Sequence, residues 1–345
     1  MRAAIALVFM ITLLAIGFFV GPYARLLFVI VIPYTSFAIF LCGIVYRVAL
    51  WWGRVPVPFS IGLTCGQQKS LPWVKSAFID NPSTFGGVIL RMALEVCFFR
   101  SLFRNGRTVL NPGTRPVFEG DWLLWVSAMA FHSSMLLILV RHLRFFLEPV
   151  PFFVPIVQYI DGFFEIGVPV LYVSGPVLLI AASSLLFRRL LDSRLRYVSL
   201  PADYFPLFLV MGIAGSGIVM RHFSRTDVAT VKEITVALCT FRPVIPDIAD
   251  PILYSHVFVV CVLLAYFPFS KLTHMVGVFM SPTRNLRCNS REFRHINPWN
   301  HPVRVRSYAQ YEDEFRDKMV SCDLPVDWED GATESKCSVS NNSQT

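Results

Sequence analysis

Residues 256–275, HVFVVCVLLAYFPFSKLTHM, form an apolar run long enough to cross a lipid bilayer, with a histidine near each end. His256 and His274 are 18 residues apart. In a continuous α-helix of about 3.6 residues per turn, this spacing puts both rings on one face, about 27 Å apart along the axis. That distance approaches the hydrocarbon thickness of roughly 30 Å, so we expect one imidazole near each surface of the bilayer.

Residues 256–270 of this stretch belong to one of six long runs without charged residues, each of 17 to 22 residues. They are Ala3–Ala24, Leu26–Tyr46, Trp122–Val140, Ile166–Phe187, Tyr204–Met220 and Pro251–Ser270. Hydrophobic residues make up 54% of the 345 positions and charged residues 16%, far from the average of a soluble domain. The sequence therefore predicts an all-α, polytopic transmembrane helix bundle of about six spans, a multi-pass protein of the cell (inner or cytoplasmic) membrane.

The charge distribution predicts the orientation of these spans. Six spans put both termini on one side, and that side holds 24 of the 31 Lys and Arg residues. The positive-inside rule makes this side cytoplasmic. The net charge of +8 is thus explained by topology, and no nucleic-acid partner is expected. The first run follows Arg2 and resembles a signal peptide, but we interpret it as an uncleaved helix.

The runs divide the chain into five segments. We expect an extra N-terminal transmembrane helix (1–25), a second span (26–53), a cytoplasmic loop (54–120), a four-helix membrane core (121–280) and a cytoplasmic tail (281–345). In the loop, the apolar stretch 85–103 is interrupted by three charged residues, which favours an interfacial helix over a seventh span. In the tail, a short helix is expected over 307–319 and disorder over the last residues.

Four of the seven histidines fall in two of the predicted spans, which extend beyond the uncharged runs at His142 and His274. His132 and His142 lie in the third, and His256 and His274 in the sixth, which runs in the opposite direction. Antiparallel packing brings His132 to His274 on the inner side and His142 to His256 on the outer side. Two facing imidazoles at each of two depths are what bis-imidazole haem ligation requires. The alternative is that some of these are interfacial histidines that only form hydrogen bonds.

The two histidine spacings do not match in length. The step from His132 to His142 is ten residues, about 15 Å in a helix, against about 27 Å on the partner segment. Helix tilt and the length of the side chains must compensate for this difference in axial distance.

The fifth run contains MGIAGSGIVM (211–220), whose small residues permit close approach of a flat macrocycle or simply of a neighbouring helix. Near the outer surface, Arg141, Arg144 and Arg221 could pair with haem propionates or a quinone carbonyl, or extend to lipid headgroups. The eight cysteines form no CxxC pair, which argues against iron–sulfur or zinc sites of the usual spacing. The chain has no nucleophile or hydrolytic motif, so its chemistry belongs to a cofactor.

The two histidine-bearing stretches resemble those of a known family. FHSSMLLILVRHLRF (131–145) and HVFVVCVLLAYFPFSKLTHM (256–275) are similar to the haem-bearing helices of the respiratory nitrate reductase gamma subunit, a dihaem membrane cytochrome b. IPYTSFAIFLCGIVYR (32–47) resembles that family's first helix, so the likeness covers about residues 33–285 and leaves the first span as an extra. PWVKSAFIDNPSTFGG (72–87) and YEDEFRDKM (311–319) resemble a sub-branch, the M subunit of the sulfite-reduction-associated DsrMKJOP complex and its relative in the haem-containing menaquinol-oxidising complex.

The resemblance implies two haem b groups in the 121–280 core. His132 and His274 would bind the inner haem, and His142 and His256 the outer one. It also implies menaquinol oxidation near the outer haem and delivery of electrons to a cytoplasmic iron–sulfur subunit, the heterodisulfide-reductase-like K subunit. Other membrane and periplasmic subunits of the same complex would be further partners, beside quinone and the lipid bilayer.

One departure from the family affects the quinone site. The nitrate-reductase branch has a quinone-linked lysine in the loop after the second histidine, whereas this loop has no lysine. Asp161 and Glu165 are its carboxylates nearest the fourth span, and they are candidate acceptors for quinol protons. They could equally be ordinary surface acids favoured by a helix dipole. Arg141, beside a haem ligand, could orient a quinone oxygen.

The leading hypothesis is therefore a quinone-reactive electron-transfer subunit, part of a quinol-oxidising oxidoreductase complex in sulfur or sulfite respiration. The alternative is a membrane anchor, or a proton-relay or transport protein, whose histidines are structural. A third possibility is an anchor of nitrate reductase itself, which its copurifying partner would distinguish.

Overall fold

The computed structural model describes residues 1–54, 77–104, 107–110, 116–162, 169–245, 250–288 and 305–327. Residues 1–295 and 296–345 form two compact units. Six helices of the first unit are long and apolar enough to cross a bilayer. They are Arg2–Val20, Leu27–Trp51, Trp122–Phe146, Ser174–Leu191, Pro201–Ser224 and Pro251–Phe269. These coincide with the six predicted runs, which confirms the polytopic all-α fold, and the protein is a multi-pass integral membrane protein.

The helices are numbered in chain order. They are α1 (Arg2–Val20), α2 (Ile32–Arg54), α3 (Phe85–Phe98), α4 (Arg100–Arg104), α5 (Trp122–Phe146), α6 (Phe153–Asp161), α7 (Ser174–Leu191), α8 (Ser193–Val198), α9 (Pro201–Val219), α10 (Val228–Cys239), α11 (Pro251–Tyr266), α12 (His274–Gly277), α13 (Pro282–Asn285) and α14 (Tyr308–Ser321). Strands β1 (Arg107–Leu110) and β2 (Pro116–Glu119) form an antiparallel hairpin that the sequence analysis did not predict.

Acidic residues define where two of the histidine-bearing helices begin. The Asp121 carboxylate accepts the backbone N–H of Leu124 at 3.1 Å and pairs with Arg188 at the end of α7 at 2.8 Å. Asp250 accepts the N–H of Ile252 at 3.0 Å, just before α11. Such caps stabilise a helix by about 1 kcal/mol each, and the Asp121 pair also joins α5 to α7.

The bundle is organised around α11. Helix α1 packs against α9 and α11, α2 packs against α11, and α5 packs against α7. Met10, Leu13, Leu209 and Val259 are buried where α1, α9 and α11 meet. The predicted extra helix is therefore part of the central packing, and not a peripheral attachment.

The predicted helix at 85–103 is found as α3 and α4, separated at Phe99, which has a φ of 48°. The polarity of α3 is inverted, since Arg91 and Glu95 are buried while the exposed positions of α3 are all apolar. These are Phe85, Gly86, Ile89, Leu90, Ala93, Val96, Cys97 and Phe98. Arg91 donates to the carbonyls of Asp80 at 3.0 Å and Leu286 at 3.3 Å. An apolar outer face suits the predicted interfacial position, which stays a prediction.

The prediction of one continuous helix from His256 to His274 is wrong. Helix α11 ends at Tyr266 and is followed by 3₁₀ turns at Phe267–Phe269 and Lys271–Thr273, with Ser270 extended between them. Pro268 has no N–H to continue the helical hydrogen-bond pattern, which explains why α11 ends before it, although Phe267 itself keeps helical dihedral angles. His274 starts the separate helix α12, so the helical spacing of 18 residues does not set the relative direction of the two rings.

In the second unit, the predicted tail helix is confirmed as α14. The Ser307 hydroxyl and the Gln310 side chain cap its start reciprocally. Residues 332–345, where disorder was predicted, lie outside the described residues, as does Glu165.

Candidate functional site

The inner histidine pair meets in the structure. The rings of His132 on α5 and His274 at the start of α12 lie edge to face, with their centroids 6.0 Å apart and an interplanar angle of 84°. Two aromatic rings flank His132, with Phe99 at 4.9 Å and Phe131 at 5.2 Å between centroids. The break before α12 therefore does not prevent the predicted inner pairing, because the 3₁₀ turns still bring His274 to α5.

Of the outer pair, His142 lies on α5 and His256 lies on α11, which packs against α9. His142 is near enough to His256 to act on it electrostatically. Ser216 of α9 contacts His256 with a hydroxyl-to-Nδ1 distance of 2.9 Å. A Cβ added at Gly217 would lie 3.4 Å from the Cε1 of His256, so the α9 backbone runs directly against this ring. The small residues of α9 therefore have an identified role in packing against His256.

The hydrogen bonds of the four rings fix which nitrogen carries the proton. Nδ1 of His132 contacts the carbonyl of Ala128 at 2.8 Å, and Nδ1 of His142 that of Ile138 at 2.7 Å. Nδ1 of His274 contacts the carbonyl of Lys271 at 2.8 Å. A carbonyl can only accept, so each of these Nδ1 atoms must be the N–H donor.

His256 reaches the same tautomer through a side chain. The Ser216 hydroxyl donates to the carbonyl of Ile213 at 3.0 Å, so its oxygen is left to accept from His256 Nδ1–H. All four imidazoles thus keep the Nε2 lone pair available for a metal. Metal-binding histidines usually have this arrangement, in which the second nitrogen is tied to a protein acceptor.

The donor set fits haem better than a free metal ion. Within the described ranges, no group of three or more His, Cys, Asp or Glu side chains could hold a metal ion by itself. Haem iron needs only two axial protein ligands, because the porphyrin supplies the others. The neighbouring rings of His132 and His274 could supply these two ligands.

A polar cluster lies beside His142, and Arg141 is at its centre. The Arg141 Nε is 2.8 Å from an Asp161 carboxylate oxygen, and its Nη2 donates to the Ser174 hydroxyl at 3.1 Å. Asp161 also accepts the Ser174 backbone N–H at 2.8 Å and its hydroxyl at 2.6 Å. Asp161 is therefore buried and fully engaged at the start of α7.

The same cluster stacks two cations on one aromatic ring. The guanidinium carbons of Arg141 and Arg221 lie 3.8 Å and 4.2 Å from the ring centroid of Tyr172. Arg221 also donates to the carbonyl of Val170 at 3.1 and 3.0 Å. Arg144, predicted to belong to this group, lies instead over Phe145. Sequence reasoning missed Tyr172 and Ser216, because neither lies in a pattern that signals a ligand contact.

Comparison with known proteins identifies the relatives of this four-histidine core. The sequence profile of the nitrate reductase gamma subunit matches residues 92–289, more than half of the chain. The chain belongs to the nitrate reductase gamma subunit family. No solved structure matches it significantly.

Two curated relatives are similar over most of their length. One, from Archaeoglobus fulgidus, is 42% identical over 281 residues, covering 79% of this chain and 83% of the relative. The other, from Archaeoglobus profundus, is 40% identical over 276 residues, covering 78% and 81% respectively. Both are named Hdr-like menaquinol oxidoreductase cytochrome b-like subunit. These matches confirm the family and fit the sub-branch that the sequence resembles.

Proposed function

We propose that this member of the nitrate reductase gamma subunit family is a membrane cytochrome b subunit that exchanges electrons with the quinone pool. In this proposal it oxidises menaquinol near the outer face and delivers electrons through two b haems to a cytoplasmic iron–sulfur subunit, in sulfur or sulfite respiration. The observation that carries the proposal is the common tautomer of four membrane histidines, each with Nδ1 tied to a protein acceptor.

Each histidine has a distinct role in this proposal. His132 and His274 would hold the inner haem, and His142 and His256 the outer one. Haem b supplies one-electron transfer when bound. The protein contributes the four ligands and fixes their orientation through Nδ1.

The quinol site is proposed near the outer pair. Arg141 precedes His142 in the chain, and its contacts with Asp161 and Ser174 fix its guanidinium in one place. It would orient a quinone oxygen by hydrogen bonding, or alternatively bind a haem propionate. Asp161 and Glu165 are the proposed acceptors of the quinol protons. The names of the two relatives support menaquinol as the substrate.

The electron acceptor is proposed to be a cytoplasmic iron–sulfur subunit, of the heterodisulfide-reductase-like K type. The relatives' names describe an oxidoreductase of that kind and so support a multi-subunit complex. The 54–120 loop and the 281–345 tail, the long segments predicted on the inner side, would bind it. Other membrane and periplasmic subunits would complete the complex.

A spectrum tests the proposal directly. The purified protein should give a reduced-minus-oxidised haem b spectrum with two haems per chain, and menaquinol should reduce them. A preparation that binds no haem would contradict the proposal and leave the alternative of an anchor or proton-relay protein with structural histidines. Copurification with nitrate reductase subunits would instead identify an anchor of that enzyme.

A further inference from the structure

We propose that the two N-terminal spans position the two histidines of the last membrane segment, with α1 holding His256 and α2 holding His274. Both helices precede residue 92, where the family match begins. The family match therefore does not cover α1 and α2. The inference rests on the proposed haem-binding function, and each step below concerns how this chain places its own ligands.

Helix α1 contacts α11 at the residue beside His256. Gly17 lies so close to α11 that an added Cβ would be 2.6 Å from the Cα of Ser255. The Ser255 hydroxyl donates to the carbonyl of Leu14 on α1 at 2.6 Å. Both Gly17 and Ser255 are buried. A larger residue at position 17 must push the α11 backbone away at the position adjoining the outer ligand.

Helix α1 also contacts the helix that orients His256. A Cβ added at Gly212 on α9 would lie 2.9 Å from the sulfur of Met10 on α1. Further along α9, Ser216 accepts the proton of His256 Nδ1. Because α1 touches both α9 and α11, it sets the distance between the outer ligand and its acceptor.

Helix α2 contacts the break that precedes His274. A Cβ added at Gly43 would lie 2.5 Å from the Cβ of Pro268. Arg47, one turn further along α2, donates from Nε to the Pro268 carbonyl at 3.0 Å. That carbonyl lies where the helical hydrogen-bond pattern is interrupted, so Arg47 satisfies an acceptor that the broken helix leaves without its usual partner.

Aromatic residues of α2 extend this contact on both sides of the break. Phe40 packs edge-on against Phe267, with centroids 5.6 Å apart. Trp51 lies against Gly277 of α12, where an added Cβ would be 3.3 Å from its ring. Helix α2 thus holds the chain before and after His274, while α1 contacts α11 at Ser255, the residue before His256. The two helices divide the two ligands between them.

Paired glycine substitutions test this division. In the purified complex, Gly17→Val should lose or alter the outer haem and keep the inner one, so that haem per chain falls about two-fold. Gly43→Val should do the reverse. Thr12→Val and Cys42→Val place the same side chain at exposed positions of the same two helices and should keep both haems. The potentiometric and electron paramagnetic resonance signals of each haem are assigned with His142→Ala and His132→Ala proteins.

Conservative variants separate positioning from folding. Arg47→Leu should shift the midpoint potential of the inner haem and leave that of the outer haem unchanged, whereas Arg47→Lys, which keeps a donor for the Pro268 carbonyl, should restore it. If the glycine variants do not accumulate, Arg47→Leu and Arg47→Lys still test whether α2 positions His274. Ser255→Ala, measured by the signal of the outer haem, tests whether α1 positions His256. Loss of both haems together, or of neither, overturns the division. A parent protein without two haems instead contradicts the proposed function.

Discussion

His132 and His274 lie with their ring centroids 6.0 Å apart. His132 lies within the 25-residue helix α5, whereas His274 begins the short helix α12 after a break. The break gives His274 a freedom of placement that a continuous α11 would not allow. The ten-residue step on α5 therefore need not match the eighteen-residue step on the last segment, which explains how two unequal spacings can serve two pairs.

Single histidine replacements should remove one haem each. We expect His132→Ala or His274→Ala to lose the inner haem and His142→Ala or His256→Ala the outer one, because each iron would lose an axial ligand. Haem content per chain, measured as the pyridine haemochrome, should fall from two to one. An intact protein with one haem, or a spectrum unchanged by these replacements, would contradict the pairing.

The Ser216 hydroxyl should tune the outer haem alone. Ser216→Ala removes the acceptor of His256 Nδ1–H, and loss of such an outer-sphere partner typically weakens metal affinity by roughly 10- to 100-fold. We expect weaker retention of the outer haem and a changed midpoint potential, with Ser216→Thr close to the parent. Ser133→Ala is the matched control, since the Ser133 hydroxyl bonds only to its own helix, at Met129 and Ala130. Equal effects at both positions would show that His256 does not depend on Ser216.

The spans and the histidine pairs were predictable because both follow from local patterns. An uncharged run of 17 to 22 residues suffices to indicate a span, and antiparallel order then brings His132 towards His274. The break at Pro268 was visible in the sequence as FPFS, but a proline within an apolar run is tolerated in many membrane helices. The contacts of α2 with Phe267 and Pro268, which hold the chain at this break, could not be read from the sequence.

The support of the ligands could not be predicted in the same way. Ser216 and Gly17 act through contacts between helices far apart in sequence, and a single sequence does not encode which helix faces meet. Asp161 was predicted to be a candidate proton acceptor or a surface acid, and its contacts with Arg141 and Ser174 were not foreseen. Whether it accepts quinol protons remains a prediction.

The tail after Cys288 should bind the proposed iron–sulfur partner. Truncation must spare Cys288, whose backbone N–H donates to the Pro82 carbonyl at 2.8 Å, and Leu286, whose carbonyl accepts from Arg91. We therefore expect a chain ending after Cys288 to keep both haems while releasing the partner, as measured by copurification. A complex that survives this truncation would place the contact in the 54–120 loop.

The Asp80 cluster predicts that the segment 77–104 is sensitive to acid. Hydrogen bonding from Arg100 lowers the pKa of Asp80 below its ordinary value of 3.8, Arg104 acts in the same direction, and partial burial opposes them. A depressed pKa means that the stabilisation is present above pH 3.8 and is lost as the pH falls through the folded-state pKa. We expect hydrogen-exchange protection of 77–104 to follow this course, and Asp80→Asn to lack the acid transition. An acid transition unchanged in that variant would assign it to other groups.

The outer acids are tested by the rate at which menaquinol reduces the haems. Asp161 is paired with Arg141, their side chains are 2% and 11% exposed, and removing one partner of a buried ion pair typically costs roughly 3–5 kcal/mol. Asp161→Asn should therefore lower thermal stability and also slow haem reduction, because the guanidinium beside His142 loses its anchor. Glu165→Gln should slow reduction without that loss of stability, if its carboxylate accepts a quinol proton.

Glu148→Gln is the matched control for both acids, since Glu148 is an exposed acid of the same loop, paired with Lys232 at the surface. In this variant both haems should stay bound, and menaquinol should reduce them at the parent rate. The rates are compared only among proteins that retain both haems, so that a lost cofactor is not mistaken for a lost proton acceptor. If the haems of the Asp161→Asn and Glu165→Gln proteins are also reduced at the parent rate, neither acid takes part in quinol oxidation. The quinol site must then be sought elsewhere at the outer surface, beginning with His222, next to Arg221 at the end of the fifth span.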